Sequence, residues 1–152
     1  MGKKLLLSVF GIALICFGSA CGTETTKMPE EGVAITVFDQ GKSNSQNVDA
    51  ELLELLETIV SEECKAPLML SLQLPLSETE VYKEDGTYIE VVYEKGKTFP
   101  VMIDAAEVAI AEVRFLIGGD SLNSYISYDT GASSHMFGLS QVSCDAIKEH
   151  LE

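Results

Sequence analysis

The sequence is 152 residues long, 46% of them hydrophobic, and it carries 24 acidic against 10 basic side chains, for a formal net charge of −14. Nucleic acid and anionic lipid headgroups are poor partners for such a chain, because phosphate binding needs clustered Lys and Arg. The length suits a single domain with a real hydrophobic core.

The N-terminal segment indicates export. Lys3 and Lys4 precede an apolar run over residues 5–17. That run matches the hydrophobic part of a signal peptide and falls short of the roughly 20 residues that span a bilayer. We therefore predict that residues 1–20 are a signal peptide and not part of the fold.

Residues 18–22, with the sequence GSACG, resemble the lipobox of bacterial lipoproteins. In that family the peptide is cut just before the cysteine, which then carries the lipid, with palmitate among its acyl chains. Gly18 stands where the family usually has Leu or another aliphatic residue. The resemblance implies that Cys21 is lipidated and anchors the chain in the cell membrane or outer membrane, with its domain outside the cytoplasm. The alternative is ordinary signal-peptidase cleavage after Ala20.

The stretch that follows, residues 21–32, is polar and has no apolar period. It predicts a tether between the anchor and a single domain over residues 33–152. Without residues 1–20 the chain keeps 8 basic and 24 acidic side chains, a net charge of about −16. Because anionic headgroups repel such a surface, we expect membrane contact to come from the lipid.

The first part of the domain predicts a strand, a helix and a second strand. Residues 33–38 are rich in β-branched side chains and stop at a Gly-containing turn, which favours a strand. Apolar residues recur at helical spacing over residues 48–64, with Asn47 or Asp49 as the N-cap. Leucines alternate with other residues over 68–76, which is typical of a strand with one apolar face.

The next part predicts a β-hairpin. Asp85-Gly86 separates two strand-like runs, residues 80–84 and 88–93, and this dipeptide is a strong hairpin signal because it tolerates positive φ. Residues 95–97 predict a further turn. Antiparallel pairing is the expected result.

Residues 104–117 leave two alternatives open. Residues 104–107 fit a capping box that opens a helix, whereas residues 113–117 favour a strand that pairs with residues 124–128 across a loop. We favour the hairpin. A short helix over residues 140–151 then closes the chain. These elements predict an α+β fold, an antiparallel sheet with an N-terminal amphipathic helix and a short C-terminal helix packed on it.

Residues 119–122 (GDSL) resemble the nucleophile block of the GDSL (SGNH) esterases. In that family the block follows the first strand of a three-layer α/β domain, and a later Asp-x-x-His pair completes the site. Only 31 residues follow Ser121, and none of the Asp and His residues among them has that spacing. Gly, Asp and Ser between two hydrophobic runs are also typical of a hairpin loop, which is the interpretation we favour.

Residues 129–134 (DTGASS) resemble the active-site turn of aspartic proteases. Such a protease needs two carboxylates that share a proton and a later strand that braces the turn. Only 23 residues follow Asp129, and their pattern indicates loop and helix. We therefore predict an ordinary turn after a strand and no catalytic residue in the chain.

The sequence predicts neither a metal site nor a cofactor. His135 and His150 are the only histidines, and neither sits at metal-ligand spacing with a cysteine. The chain also lacks a Gly-rich phosphate-binding loop between a strand and a helix.

A disulfide is predicted between Cys64 and Cys144. Cys16 leaves with the signal peptide and Cys21 carries the lipid, so two thiols remain in a compartment where disulfides persist. Each of the two lies on the apolar face of its predicted helix. The alternative is a pair of buried free cysteines that act as small hydrophobic residues.

Together these observations predict a lipid-anchored cell-envelope protein whose acidic domain binds or assembles without catalysis. The expected partners are the membrane, through the lipid, and an envelope protein or small ligand, with nucleic acid excluded. The alternative is a surface esterase-type hydrolase that uses the Ser121 loop.

Overall fold

The computed structural model describes residues 26–27, 30–44, 48–64, 76–103, 106–119 and 122–152. The predicted signal peptide, Cys21 and residues 68–75 of the strand predicted over 68–76 lie outside these ranges, whereas Leu76, the last residue of that prediction, begins a helix. The described residues form strands and helices in this order: β1 Thr26–Lys27, β2 Val33–Asp39, β3 Lys42–Ser43, α1 Ala50–Glu63, α2 Leu76–Asp85, β4 Thr87–Ile103, β5 Ala106–Ile117, β6 Tyr125–Asp129, β7 Ser134–Gly138 and α3 Gln141–Leu151.

The predicted α+β fold is confirmed. The strands form one antiparallel sheet in the order β1-β2-β4-β5-β6-β7, with β3 paired to β2. The expected pairing of β5 with β6 is present, with Phe115 opposite Ile126. The helix alternative for residues 104–112 is excluded from Ala106 onward, because β5 begins there.

One face of the sheet, which we call the helix face, carries the main core. Alternate strand residues such as Ile35, Ile89, Phe115 and Ile126 are fully buried and belong to one cluster with α1 and α3. Period-two alternation along the strands puts these side chains on the same face. Burial of a large apolar side chain contributes about 1.5–3 kcal/mol, so this face is the main source of stability.

The helices α1 and α3 lie side by side and antiparallel. Asp49 is the N-cap of α1, and its Oδ1 accepts the Leu52 backbone N–H at 2.8 Å. The same carboxylate oxygen lies 3.2 Å from Nε2 of His150 in the last turn of α3. At the other end, Glu63 of α1 binds the N-cap of α3, Ser140. The predicted packing of the two helices on the sheet is therefore confirmed.

The second face of the sheet, opposite α1 and α3, has a small apolar cluster where α2 packs. Tyr82 of α2 meets Tyr88 and Leu116 there, and Phe38 and Tyr125 pack around them. These strand residues alternate with the buried residues of the helix face, which places α2 on the opposite side of the sheet.

The hairpin predicted around Asp85-Gly86 is wrong. Residues 76–85 form the helix α2, and the Gly86 N–H donates to the Tyr82 carbonyl to close its last turn. A Cβ atom at Gly86 would overlap with the carbonyl oxygen of Ile117. The glycine is therefore needed for close approach of two backbones and not for a hairpin turn.

The turn predicted at residues 95–97 is also wrong, because β4 continues through it. Val92 pairs with Glu112 of β5 and Lys97 with Ile110. Four residues of β4, 93–96, therefore correspond to the single residue Ala111 of β5. Gly96 takes a φ of +70° within this bulge. A bulge accommodates extra residues without ending a strand. The glycine at position 96, which is typical of a turn, therefore lies within a continuous strand.

The sheet also reaches into the segment predicted as a tether. Thr26 and Lys27 form β1 and pair with Ile35 and Ala34 on the edge of β2. None of the helices in the described ranges is long and apolar enough to cross a bilayer.

Candidate functional site

The GDSL string lies in the connection between β5 and β6, with Ser121 itself outside the described residues. On its near side, Gly118 N–H donates to Ser124 Oγ at 3.0 Å. A Cβ atom at Gly118 would overlap with the backbone of Leu122, so these two residues approach each other closely. The predicted connection between two antiparallel strands is thus present around this serine.

Both histidines have hydrogen-bond partners away from the GDSL string. His135 Nε2 lies 2.9 Å from Ser133 Oγ in the β6–β7 turn. His150 Nε2 lies 3.2 Å from Asp49 Oδ1 between the two packed helices.

The DTGASS string forms the predicted turn after a strand. Asp129 Oδ1 accepts the Gly131 N–H at 2.5 Å, and its Oδ2 accepts the Ser134 hydroxyl at 2.6 Å. These two hydrogen bonds, that from Ser134 first, lower the pKa of Asp129. The residues after the turn form the strand β7 and not the loop that the sequence predicts.

The two domain cysteines are buried in the main core, Cys64 at the end of α1 and Cys144 near the start of α3. Both are free thiols in the structure, so the predicted disulfide is not formed there. Burial raises the pKa of Cys64 to about 12 and also raises that of Cys144. In this form they match the alternative in which the cysteines act as small hydrophobic residues.

A charged group that sequence reasoning missed lies on the second face of the sheet. Its members, which we call the Arg114 cluster, are the guanidinium of Arg114, three carboxylates and one tyrosine hydroxyl. They are Tyr88, Glu90, Glu112, Arg114 and Asp129.

Strand register brings this cluster together. Arg114 of β5 lies directly opposite Glu90 of β4, and Glu112 lies opposite Asp129 of β6. Arg114 Nε is 3.4 Å from Glu90 Oε1, and Arg114 Nη2 pairs with Glu112 Oε1. The Tyr88 hydroxyl donates to Glu90 Oε1 at 3.0 Å.

The cluster is partly exposed. The side chain of Arg114 keeps 41% of its accessible surface, that of Glu90 30% and that of Glu112 24%. Of the described helices, α2 packs on this face, and it does so around Tyr88 and Leu116. Beside the cluster, Val92 is also exposed.

Within the cluster, the pKa values of Glu112 and Arg114 are both raised. Partial burial raises the pKa of Glu112, and the nearby Glu90 charge adds to it, against the opposing effect of Arg114. For Arg114, burial lowers the pKa, but the charge of Glu112 and its other anionic neighbours outweighs burial and raises it. Three carboxylates around one guanidinium leave a local negative excess, which suits a polar or basic contact and repels anions.

A metal is not suggested by this arrangement. Nowhere in the described ranges do three His, Cys, Asp or Glu side chains converge as a metal-binding group.

A sequence signal for the cluster does exist. Glu90, Glu112 and Arg114 each stand between apolar neighbours in runs with strand-like composition. Charged residues at alternate positions of a strand mark the face away from the core. Which charges become neighbours depends on the register of three strands, which the pattern alone does not provide.

Comparison with known proteins identifies no relative, since no family model, curated protein or solved structure matches the chain.

Proposed function

We propose that this protein is a lipid-anchored cell-envelope protein whose acidic α+β domain is a non-enzymatic binding or assembly module. The anchor rests on Cys21, which follows an apolar segment of signal-peptide length and three small residues. Each buried methylene of the lipid would contribute about 0.8 kcal/mol to membrane attachment.

The binding role rests on one observation, the partly exposed Arg114 cluster. A charged network on a sheet surface adds little stability, because exposed ion pairs contribute about 0–1 kcal/mol. Its rigid, cross-strand placement does present polar groups in a fixed array. Complementary charge of this kind gives specificity and faster association with a partner. The partner class is an envelope protein or small ligand with polar or basic groups.

The anchor is tested by detergent phase partitioning of the wild type and Cys21→Ala. We expect the wild type in the detergent phase and the variant in the aqueous phase. The lipobox interpretation fails if both enter the aqueous phase.

The binding role is tested with a photo-crosslinking amino acid at Ser127, which lies directly opposite Arg114 on the second face. The matched control places the same group at Glu54, on the exposed side of α1. In cells that express the protein natively, we expect a discrete adduct from position 127 that Arg114→Gln abolishes. Equal adducts from positions 127 and 54, or none from 127, would contradict a module that uses this face.

A further inference from the structure

Two short strands share one edge of the sheet. β4 pairs with β2 along its whole length, Val33–Asp39, and so occupies one of its two edges. β1 and β3 also pair with β2, at residues 34–35 and at residues 38–39. Because a strand has only two edges, both lie on the outer one. We call it the β1–β3 edge, formed by Thr26–Lys27 and Lys42–Ser43.

The position of β1 limits how far the domain can lie from an anchor at Cys21. Four residues, 22–25, separate Cys21 from Thr26, the first residue of β1. The corresponding Cα–Cα steps of an extended chain span at most about 18 Å, and a flexible chain of that length has an average end-to-end distance of about 12 Å. A tether that continued to Val33 would allow about 40 Å. β1 therefore shortens the maximum reach by more than half.

This reach is shorter than the sheet is wide. The edge opposite β1 is formed by β7, at the other end of the strand order. At about 4.8 Å per strand spacing, the two edges lie about 24 Å apart. A domain that rested on its β7 edge would hold Thr26 at about that height, beyond the roughly 18 Å that the chain from Cys21 can span. The β7 edge therefore cannot rest on a membrane that holds Cys21.

Charge distinguishes the β1–β3 edge from the two faces of the domain. Its strands contain Lys27 and Lys42 and no acidic residue. The acidic residues 30–31 lie in the connection from β1 to β2, at the end of β1 away from β3. The helices on the two faces carry exposed acidic side chains, such as Glu54 on α1 and Glu80 on α2. Anionic lipid headgroups therefore repel both faces more strongly than this edge.

We infer that the β1–β3 edge faces the surface of the bilayer in which Cys21 is anchored, with β7 directed away from it. The inference rests on the proposed lipid anchor. It also limits where the proposed module meets its partner. Arg114 lies on β5, three strand spacings or about 14 Å from β1. Together with the reach of the tether, this keeps the Arg114 cluster within about 32 Å of the bilayer, so its partner lies at the same membrane surface.

The test measures which edge lies near the lipid headgroups. The protein is purified with its lipid and placed in vesicles of phosphatidylcholine and phosphatidylglycerol that contain a lipid with a spin-labelled headgroup, which quenches fluorescence at short range. A fluorescent amino acid replaces Ser43 of β3 or Gly138 of β7. Both positions are exposed, and an added Cβ atom at Gly138 meets nothing within 4 Å. We expect the label at position 43 to lose several-fold more fluorescence than the label at position 138.

The matched controls are two insertions of about 12 Gly and Ser residues. Between Gly22 and Thr23, the insertion raises the maximum reach to roughly 60 Å, so the difference in quenching between the two labels should fall. Between Gly131 and Ala132, in the exposed β6–β7 turn, the same insertion leaves the tether unchanged. The difference in quenching should then persist.

Mass spectrometry of the N-terminal peptide separates failure of the anchor from failure of the orientation. A protein without lipid on Cys21 would overturn the anchor and this inference together. With the lipid present, equal quenching at both positions, stronger quenching at position 138 or no quenching at either would overturn the orientation alone. A difference that the tether insertion leaves unchanged would also overturn it, because the short tether would then not be the cause.

Discussion

Glu63, the last residue of α1, accepts a hydrogen bond at 2.8 Å from the backbone N–H of Ser140, the N-cap of α3. The hydroxyls of Ser140 and Ser143 donate to the same carboxylate. One side chain therefore satisfies donors at the start of a helix that is far away in sequence. Its negative charge also suits the positive end of the α3 dipole.

We expect Glu63→Gln to lower the free energy of unfolding by about 1–2 kcal/mol at pH 7, because charge-assisted hydrogen bonds are replaced by neutral ones. Chemical denaturation measures the change. Glu62→Gln, which alters an exposed neighbour, should stay within about 0.5 kcal/mol of the wild type. A similar loss in both variants would mean that net charge, not the contact with α3, is responsible.

The same contact predicts a pH dependence. Burial opposes ionisation of Glu63, but its hydrogen bonds to Ser140 and Ser143 outweigh burial and lower its pKa below the ordinary 4.5. A carboxyl with a lowered folded-state pKa stabilises the protein above its unfolded pKa and loses that contribution as the pH falls through the folded value. The difference in the free energy of unfolding between the wild type and Glu63→Gln should therefore become smaller below about pH 4.5.

Gly86 gives a further prediction. A Cβ atom there would overlap with the carbonyl oxygen of Ile117, which is backbone and cannot move aside cheaply. We expect Gly86→Ala to destabilise the protein by about 1–3 kcal/mol in thermal or chemical unfolding. Gly138→Ala is the control, because an added Cβ meets nothing within 4 Å there. Comparable losses in both variants would contradict the close-approach explanation.

How much of this fold the sequence predicts depends on periodicity. In α1 and α3 the apolar residues recur at helical spacing and a capping residue precedes each helix, so both helices and the antiparallel sheet follow from the pattern. In the described part of α2, Tyr82 is buried on the sheet and Val81 remains exposed, which leaves only a weak helical period. The Asp85-Gly86 dipeptide is a stronger signal than this weak helical period, so the sequence alone predicts a hairpin. In the folded protein, tertiary contacts make the segment a helix.

The candidate sites were harder to predict than the fold. The sequence predicts a turn after a strand for the DTGASS string because the rest of the protease motif is missing, and the turn at Asp129 is present, held by two hydrogen bonds. The Arg114 cluster combines residues from three strands. Its members come together only through strand register, which a single sequence does not specify.

Removing the charge of Glu112 should not lower the free energy of unfolding, in contrast to removing that of Glu63. Burial and the Glu90 charge raise its pKa, so the folded state favours the protonated form. Such a group stabilises the fold below its unfolded pKa and loses that contribution as the pH rises through the folded value. We expect Glu112→Gln, which resembles the protonated acid, to be neutral or stabilising by up to about 1 kcal/mol at pH 7. A loss larger than that in chemical denaturation would show that the ion pair with Arg114 outweighs desolvation.

Ser121 gives a prediction about activity. If the loop has no catalytic role, wild type and Ser121→Ala will hydrolyse p-nitrophenyl esters at the same background rate. Turnover that depends on this serine would instead support a surface hydrolase.

The last prediction concerns Cys64 and Cys144, whose oxidation state depends on whether the chain is exported. In the folded, reduced protein both thiols are buried, and burial raises their pKa, to about 12 for Cys64. Because the thiolate is the reactive form, we expect alkylation at pH 8 to be much slower in the folded protein than in denaturant.

In protein exported natively, we still predict a disulfide between Cys64 and Cys144, since both lie in the same core on neighbouring helices. A bridge across about 80 residues would contribute on the order of 4 kcal/mol through the unfolded state. The comparison sample is a Cys21→Ala variant without residues 1–20, which stays in the reducing cytoplasm. Thiol labelling in denaturant without reductant should find no free thiol in the exported protein and two in this variant. Two free thiols in both samples would contradict the disulfide and leave the cysteines as buried, unpaired core residues.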